Sequence, residues 1–243
     1  MRRLCRIWEC LAIAAVVLCP SIYGQRQSDL ITQTPLPRGS VLVIGFLGGY
    51  ERWNDEHRSV RRLVLKLRQR PGIYTESIEN HRRKVALRLL RRALDRNGDG
   101  KLDAEERSQA RVILFGQSWG GAAAISTARD LGEMGVPVLL TVQVDSVGLR
   151  DQWIPPNVRA AVNFYQHDPL TIQGRSEIRA QDPTQTRILG NFEESYVARP
   201  VDESNASWPR RVLGGSHVKM ELDPAVWRQV ESYITNVAAG RLP

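Results

Sequence analysis

A chain of 243 residues, 42% hydrophobic and 25% charged, is long enough to enclose one substantial α/β core. Those fractions exclude a disordered polymer and a bundle of membrane helices, and the net charge of +8 comes with no nucleic-acid-binding motif. Cys5, Cys10 and Cys19 all lie near the N-terminus, so the rest of the chain must be held by its core or by a metal rather than by disulfides.

Residues 1–24 have the pattern of a secretory signal peptide. Arg2, Arg3 and Arg6 precede the apolar run Leu11 to Leu18, and Pro20, Ser21 and Gly24 follow it. The run is too short to be read first as a membrane span, although a retained anchor is the other reading. Cleavage implies an exported protein, periplasmic or extracellular. Residues 25–40 are polar and proline-containing, as in a linker, and a single α/β domain is expected over 41–243.

That domain opens with Val41-Leu42-Val43-Ile44-Gly45, a continuous apolar run of the kind buried on both faces of a sheet. A helix is predicted over 58–69, stopped by Pro71-Gly72, then a strand over 73–78 and a helix over 81–94. In the second helix Arg82, Arg83, Lys84, Arg88, Arg91 and Arg92 alternate with Val85, Leu87, Leu89, Leu90 and Leu94. This is an amphipathic pattern whose charged face is solvated; weak attraction to an anionic membrane surface is the alternative use.

Asp95 to Glu106 then fits the twelve-position EF-hand calcium loop. Oxygen ligands fall at Asp95, Asn97, Asp99 and Asp103, Lys101 offers its carbonyl, and Glu106 closes the site with two oxygens. Gly100 provides the sharp turn and Leu102 the apolar eighth position. The loop is unpaired, which favours a structural role for Ca2+, and nothing calls for an organic cofactor.

Further along, strands are predicted over 111–115, 136–144 and 160–165, with helices over 120–131 and 224–238. Strands alternating with helices imply a mainly parallel sheet covered on both faces, which binds ligands at the carboxyl ends of its strands. The polar stretch His167 to Pro209 lacks a clear period and is expected either to cover the active site or to pack irregularly.

The chemistry is concentrated at Gly116-Gln117-Ser118-Trp119-Gly120. A buried strand enters this Gly-x-Ser-x-Gly turn and an alanine-rich helix leaves it, the context of a nucleophile elbow. Ser118 would project above the sheet at a helix N-terminus, where developing negative charge is favoured. Of the two histidines after Ser118, His217 in Gly214-Gly215-Ser216-His217 is the expected base, in a turn ahead of the last helix; His167 is the other. Asp145, ending an apolar strand, is the favoured acid and Asp168 the alternative. Gly45-Phe46-Leu47-Gly48-Gly49 follows the first strand, so the amides of Phe46 and Trp119 are the expected oxyanion hole.

From Val41 to Gly240 the chain resembles the α/β-hydrolase superfamily, in particular its lipase-type members. The resemblance rests on Gly45-Phe46, Ser118, Asp145 and His217. It implies an α/β-hydrolase fold and a serine hydrolase acting through an acyl-enzyme on a small-molecule or lipid-like ester, or on a thioester or amide. Two departures stand out: Gln117 occupies a place where histidine often precedes the serine, and no histidine precedes Gly45. The interval between Val144 and Ala160 leaves no room for a cap domain, which predicts an open site. An acyltransferase with the same triad and a non-catalytic calcium-binding protein on the same scaffold are the rival readings.

Overall fold

The computed structural model describes residues 24–204, 206 and 208–241, so all but the last residue of the expected signal peptide lies outside the described residues. The strands are β1 (Val41–Leu47), β2 (Ile73–Glu79), β3 (Val112–Gln117), β4 (Leu140–Val144), β5 (Trp153–Ile154), β6 (Ala160–Tyr165), β7 (Arg179–Ala180) and β8 (Arg187–Glu193). The helices are α1 (Ser59–Leu67), α2 (Arg83–Leu94), α3 (Ala104–Ser108), α4 (Trp119–Glu133), α5 (Trp208–Leu222) and α6 (Pro224–Ala238). Six strands form one sheet in the order β2-β1-β3-β4-β6-β8, every neighbour parallel. Among the described residues no helix is long and apolar enough to cross a membrane.

The apolar runs become central strands because both faces of the sheet are covered. Successive side chains point to opposite faces, and β1 shows the division clearly. Leu42, Ile44 and Phe46 enter one core with Val85, Leu89 and Leu90 of α2 and Ala124 and Ala128 of α4. Val41, Val43 and Leu47 enter the other, with Leu63 and Val64 of α1 and Val226, Val230 and Ile234 of α6. Each such large side chain taken fully out of water contributes about 1.5–3 kcal/mol before entropy is charged against it. The exposed residues of α2 include Lys84, Arg88, Arg91 and Arg92, which leaves the basic stripe in solvent.

The register brings the carboxyl ends of the middle strands level. Phe46 pairs with Gly116, Gln117 with Val144, and Val144 with Phe164. Residues immediately after these strands therefore share one rim of the sheet.

Three segments differ from the sequence expectation. The strand predicted over 136–144 begins at Leu140, because upstream only Val138 makes a bridge, to Val158. The stretch 167–209 contributes β8 as the sixth strand; it is an edge, half-buried between exposed ends and irregular in register opposite Ala161 and Val162, so it lacks the apolar run that marks the central strands. Residues 25–32 pack on the β2 edge. Gln25 donates from its side chain to the Ser77 carbonyl and from its backbone to Glu79, while Ile31 and Thr32 donate to Glu76.

Candidate active site

Ser118 sits between β3 and α4 with φ 54 and ψ −127, a backbone conformation that a residue with a side chain adopts only under constraint. The constraint is close packing. A Cβ on Gly116 would run into the backbone of Gly120, and one on Gly120 into the Phe46 carbonyl, so α4 can approach the sheet only with glycine at both places. The Ser118 amide donates to the Val144 carbonyl at 3.0 Å, and its carbonyl accepts from Gly121 at 3.0 Å and Val147 at 3.2 Å. The side chain is left partly exposed at the rim.

Asp145 follows β4 on the same rim, also with positive φ (45°), and is fully buried. Its Oδ2 lies 2.6 Å from His217 Nδ1 and accepts from Gln166 Nε2 at 2.9 Å, while Oδ1 accepts from the Gly174 amide at 2.8 Å. A carboxylate oxygen only accepts, so Nδ1 carries the proton and Nε2 of the neutral ring is the free base. Nε2 lies 3.3 Å from the side-chain nitrogen of Gln117, and no hydrogen bond joins Ser118 to His217 among the described residues.

The turn expected to carry His217 is helical. It belongs to α5, which breaks at Gly215 (φ 44, ψ −132) two residues before the histidine. Asp168 does not face the imidazole. It accepts from the Ser216 hydroxyl at 2.8 Å and the Leu170 amide at 3.1 Å, bonds that hold its carboxyl below the usual range. Asp168 thus ties the loop after β6 to the helix break, and Asp145 is the carboxylate beside His217. His167 is exposed.

The expected donor Phe46 is corrected. It is an interior residue of β1, paired with Ile78 on one side and Gly116 on the other and fully buried, so its amide belongs to the ladder. The residue beside Ser118 is Gly48, where a Cβ would come within 3.2 Å of Ser118 Cβ and would strike the Gln117 side-chain oxygen. Trp119 is the first residue of α4, where an amide has no intrahelical acceptor. Its indole is 44% exposed and meets Tyr50 edge to face at 5.6 Å. An open groove of about 570 Å³ runs past it, with Ala122, Val147, Leu149 and Arg175 among its walls. Only residues 145–159, containing the two-residue β5, separate β4 from β6, so no cap domain is inserted there.

Glu51 sits behind this turn. Its carboxyl accepts from the Gly48 amide at 3.2 Å, and one nitrogen of Arg210 reaches both Glu51 (3.2 Å) and Glu221 (2.6 Å). Arg58 lies 3.4 Å from Glu51 and 3.8 Å from Glu221. Burial, followed by the repulsion of Glu221, pushes the Glu51 carboxyl up to about 8. Nothing in the residue pattern distinguished Glu51, Gln166 or Gly174 beforehand, since each acts through a loop conformation.

Away from this rim, the 95–106 loop is folded by its own carboxylates. Asp95 accepts from the Gly98 and Gly100 amides, Asn97 from Asp99, and Asp99 from Lys101. Glu106 is buried and accepts from the amides of Arg96, Asn97 and Asp103, while Asp103 caps α3 through the Glu106 amide. With the oxygens turned to these amides, no three acidic, histidine or cysteine side chains converge on one point among the described residues. The oxygen-rich donor set is nevertheless of the type a hard cation takes.

Parallel sheet, helices on both faces, strained serine between strand and helix, and a histidine close to the chain's end define an α/β-hydrolase fold. No family profile matches the sequence, and no curated protein does. Among solved structures the chain is similar to a cutinase-like protein from Cryptococcus sp. at 14% identity, covering 87% of this chain and 100% of that one, TM-score 0.48. It is also similar to a dienelactone hydrolase from Anabaena variabilis ATCC 29413 at 14% identity, covering 86% and 90%, TM-score 0.43. A dienelactone hydrolase-like promiscuous phosphotriesterase from metagenomic libraries matches at 18% identity over 86% and 88%, TM-score 0.39. At these levels the likeness adds nothing to what the topology itself defines.

Proposed function

We propose that this protein is an exported serine esterase in which Ser118 attacks the acyl carbon, His217 moves the proton, and Asp145 holds the histidine in its working tautomer. One observation carries the reading: the strained serine stands on the rim that also holds the buried Asp145–His217 pair. His217 Nε2 takes the Ser118 proton as the tetrahedral adduct forms, then gives it to the leaving alcohol. The second half repeats the sequence with water. The amides of Trp119 and Gly48 are the proposed oxyanion donors, worth about 10²–10³-fold each in enzymes of this type. The contact between Gln117 and His217 opens as substrate arrives, since catalytic hydrogen bonds often tighten only in the complex.

The open groove, with exposed Trp119 and Leu149 on its walls, suits a compact acyl ester. Hydrolysis of p-nitrophenyl esters of increasing acyl length tests the activity. Turnover that a fluorophosphonate abolishes is the expected result; no turnover of any ester contradicts it, and acyl transfer to added alcohols in preference to water would favour the acyltransferase.

Calcium at the 95–106 loop belongs to the same proposal. The ion would be held by the side chains of Asp95, Asn97, Asp99, Asp103 and Glu106 and the carbonyl of Lys101, neutralising acidic groups between α2 and β3. At a calcium concentration about 100-fold above Kd the gain is about 2.7 kcal/mol. For a chain of this size that moves the melting temperature by roughly 5–10 °C. Equal melting temperatures in calcium and in chelator would remove calcium from the account. Export is checked by the mass of the protein recovered outside the cytoplasm, which should lack the residues up to about Gly24.

A further inference from the structure

We infer that Glu51 is a positioning residue whose carboxylate competes with the substrate oxyanion for the Gly48 amide. This rests on the esterase reading above. Gly48 lies beside Ser118, and its amide donates to Glu51 Oε2 at 3.2 Å, so the proposed donor is engaged before substrate arrives. How firmly it is held depends on the charge of Glu51. An ionised carboxylate makes a hydrogen bond roughly twice as strong as a neutral acceptor, and it sets a negative charge beside the place where a second one must develop. A neutral carboxyl does neither.

The surroundings decide which form is present. Glu51 is faced by Asp55 in its own loop, by Arg58 at the start of α1, and by Arg210 and Glu221 from the two halves of α5. Glu221 is faced by Arg58, Arg62, Arg210 and His217. Its buried Oε1 has no hydrogen-bond partner and lies 3.8 Å from Arg58. Burial first, and Glu221 second, keep Glu51 protonated up to about pH 8, against the opposing pull of Arg58 and the Gly48 amide.

The sign follows. Ionisation of Glu51 produces a fall in activity on the alkaline side. A complete loss on ionisation means about tenfold per pH unit above the midpoint, in kcat more than in KM, because the oxyanion exists only in the transition state. The experiment is the pH profile of ester hydrolysis for wild type, Glu51→Gln and Glu221→Gln. Wild type is expected to decline from about pH 8; Glu51→Gln should lose that limb, and Glu221→Gln should bring it to lower pH by removing the like charge. If Glu51→Gln does not fold, the shift in Glu221→Gln carries the test. In parallel, the Gly48 amide shift in 15N spectra of Ser118→Ala should titrate with the same midpoint. An active wild type whose alkaline limb survives unchanged in Glu51→Gln, or is unmoved in Glu221→Gln, overturns the role of Glu51 alone. An inactive wild type overturns the esterase reading and this one with it.

Discussion

Ser118→Ala should lower kcat by about 10⁶-fold and leave the melting temperature nearly unchanged. Removal of a triad nucleophile costs about that much, with a residual 10³–10⁴-fold over water from oxyanion donors and binding. Stability should hold because the hydroxyl makes no hydrogen bond to His217, and because the bonds that fix the elbow are backbone ones, from Ser118 to Val144 and from Gly121 and Val147 to Ser118. Alanine also relieves nothing at φ 54: the strain is imposed by the glycine contacts on either side. The two effects are read separately, by initial rates on a chromogenic ester and by thermal unfolding. A variant that keeps a tenth of wild-type kcat would show that another group attacks.

Asp145→Asn should cost about 10⁴-fold in kcat, through tautomer rather than geometry. Among residues with a side chain, asparagine is one of the most tolerant of the positive φ found there, so the loop should persist. Asp145 accepts from three donors at once: His217 Nδ1, Gln166 Nε2 and the Gly174 amide. An amide has only one oxygen. If that oxygen stays on Gly174, its nitrogen faces Gln166 and turns His217 Nδ1 into an acceptor. The ring proton then moves to Nε2, where it removes the base. The opposite flip places a donor against the Gly174 amide in a fully buried position, an unsatisfied pairing that costs about 1–3 kcal/mol. The decrease should therefore come with a modest loss of stability. Asp168→Asn serves as the comparison: its carboxyl is bonded to Ser216 and Leu170 rather than to His217, so a fall as large as that of Asp145→Asn would reverse the proposed assignment of the acid.

What could be read from the sequence follows from where burial is strongest. β1, β3 and β6 carry runs buried on both faces, and α6 was bounded correctly by Pro224 and the end of its apolar face. β8 could not be found the same way, because Arg187-Ile188-Leu189-Gly190-Asn191-Phe192-Glu193 is a half-exposed edge with no residue fully buried. At the rim, Ser118 and Asp145 were legible because an apolar strand ending in a polar residue demands a reason. His217 is legible by chain order, although its surroundings are not: the break at Gly215 lies where Asp168 and Ser216 meet across 48 positions of sequence. Phe46 reads as a donor from the sequence because Gly45 ends the apolar run, whereas the strand continues two residues further. Gly48 and Glu51 matter only once that strand end is fixed in space.

The most direct test of the account is where a fluorophosphonate lands. Wild-type protein, labelled to completion and digested, should carry a single adduct, on the peptide containing Ser118, and Ser118→Ala should carry none. An unlabelled wild type, or an adduct on any other residue, would contradict the central claim that Ser118 is an activated nucleophile.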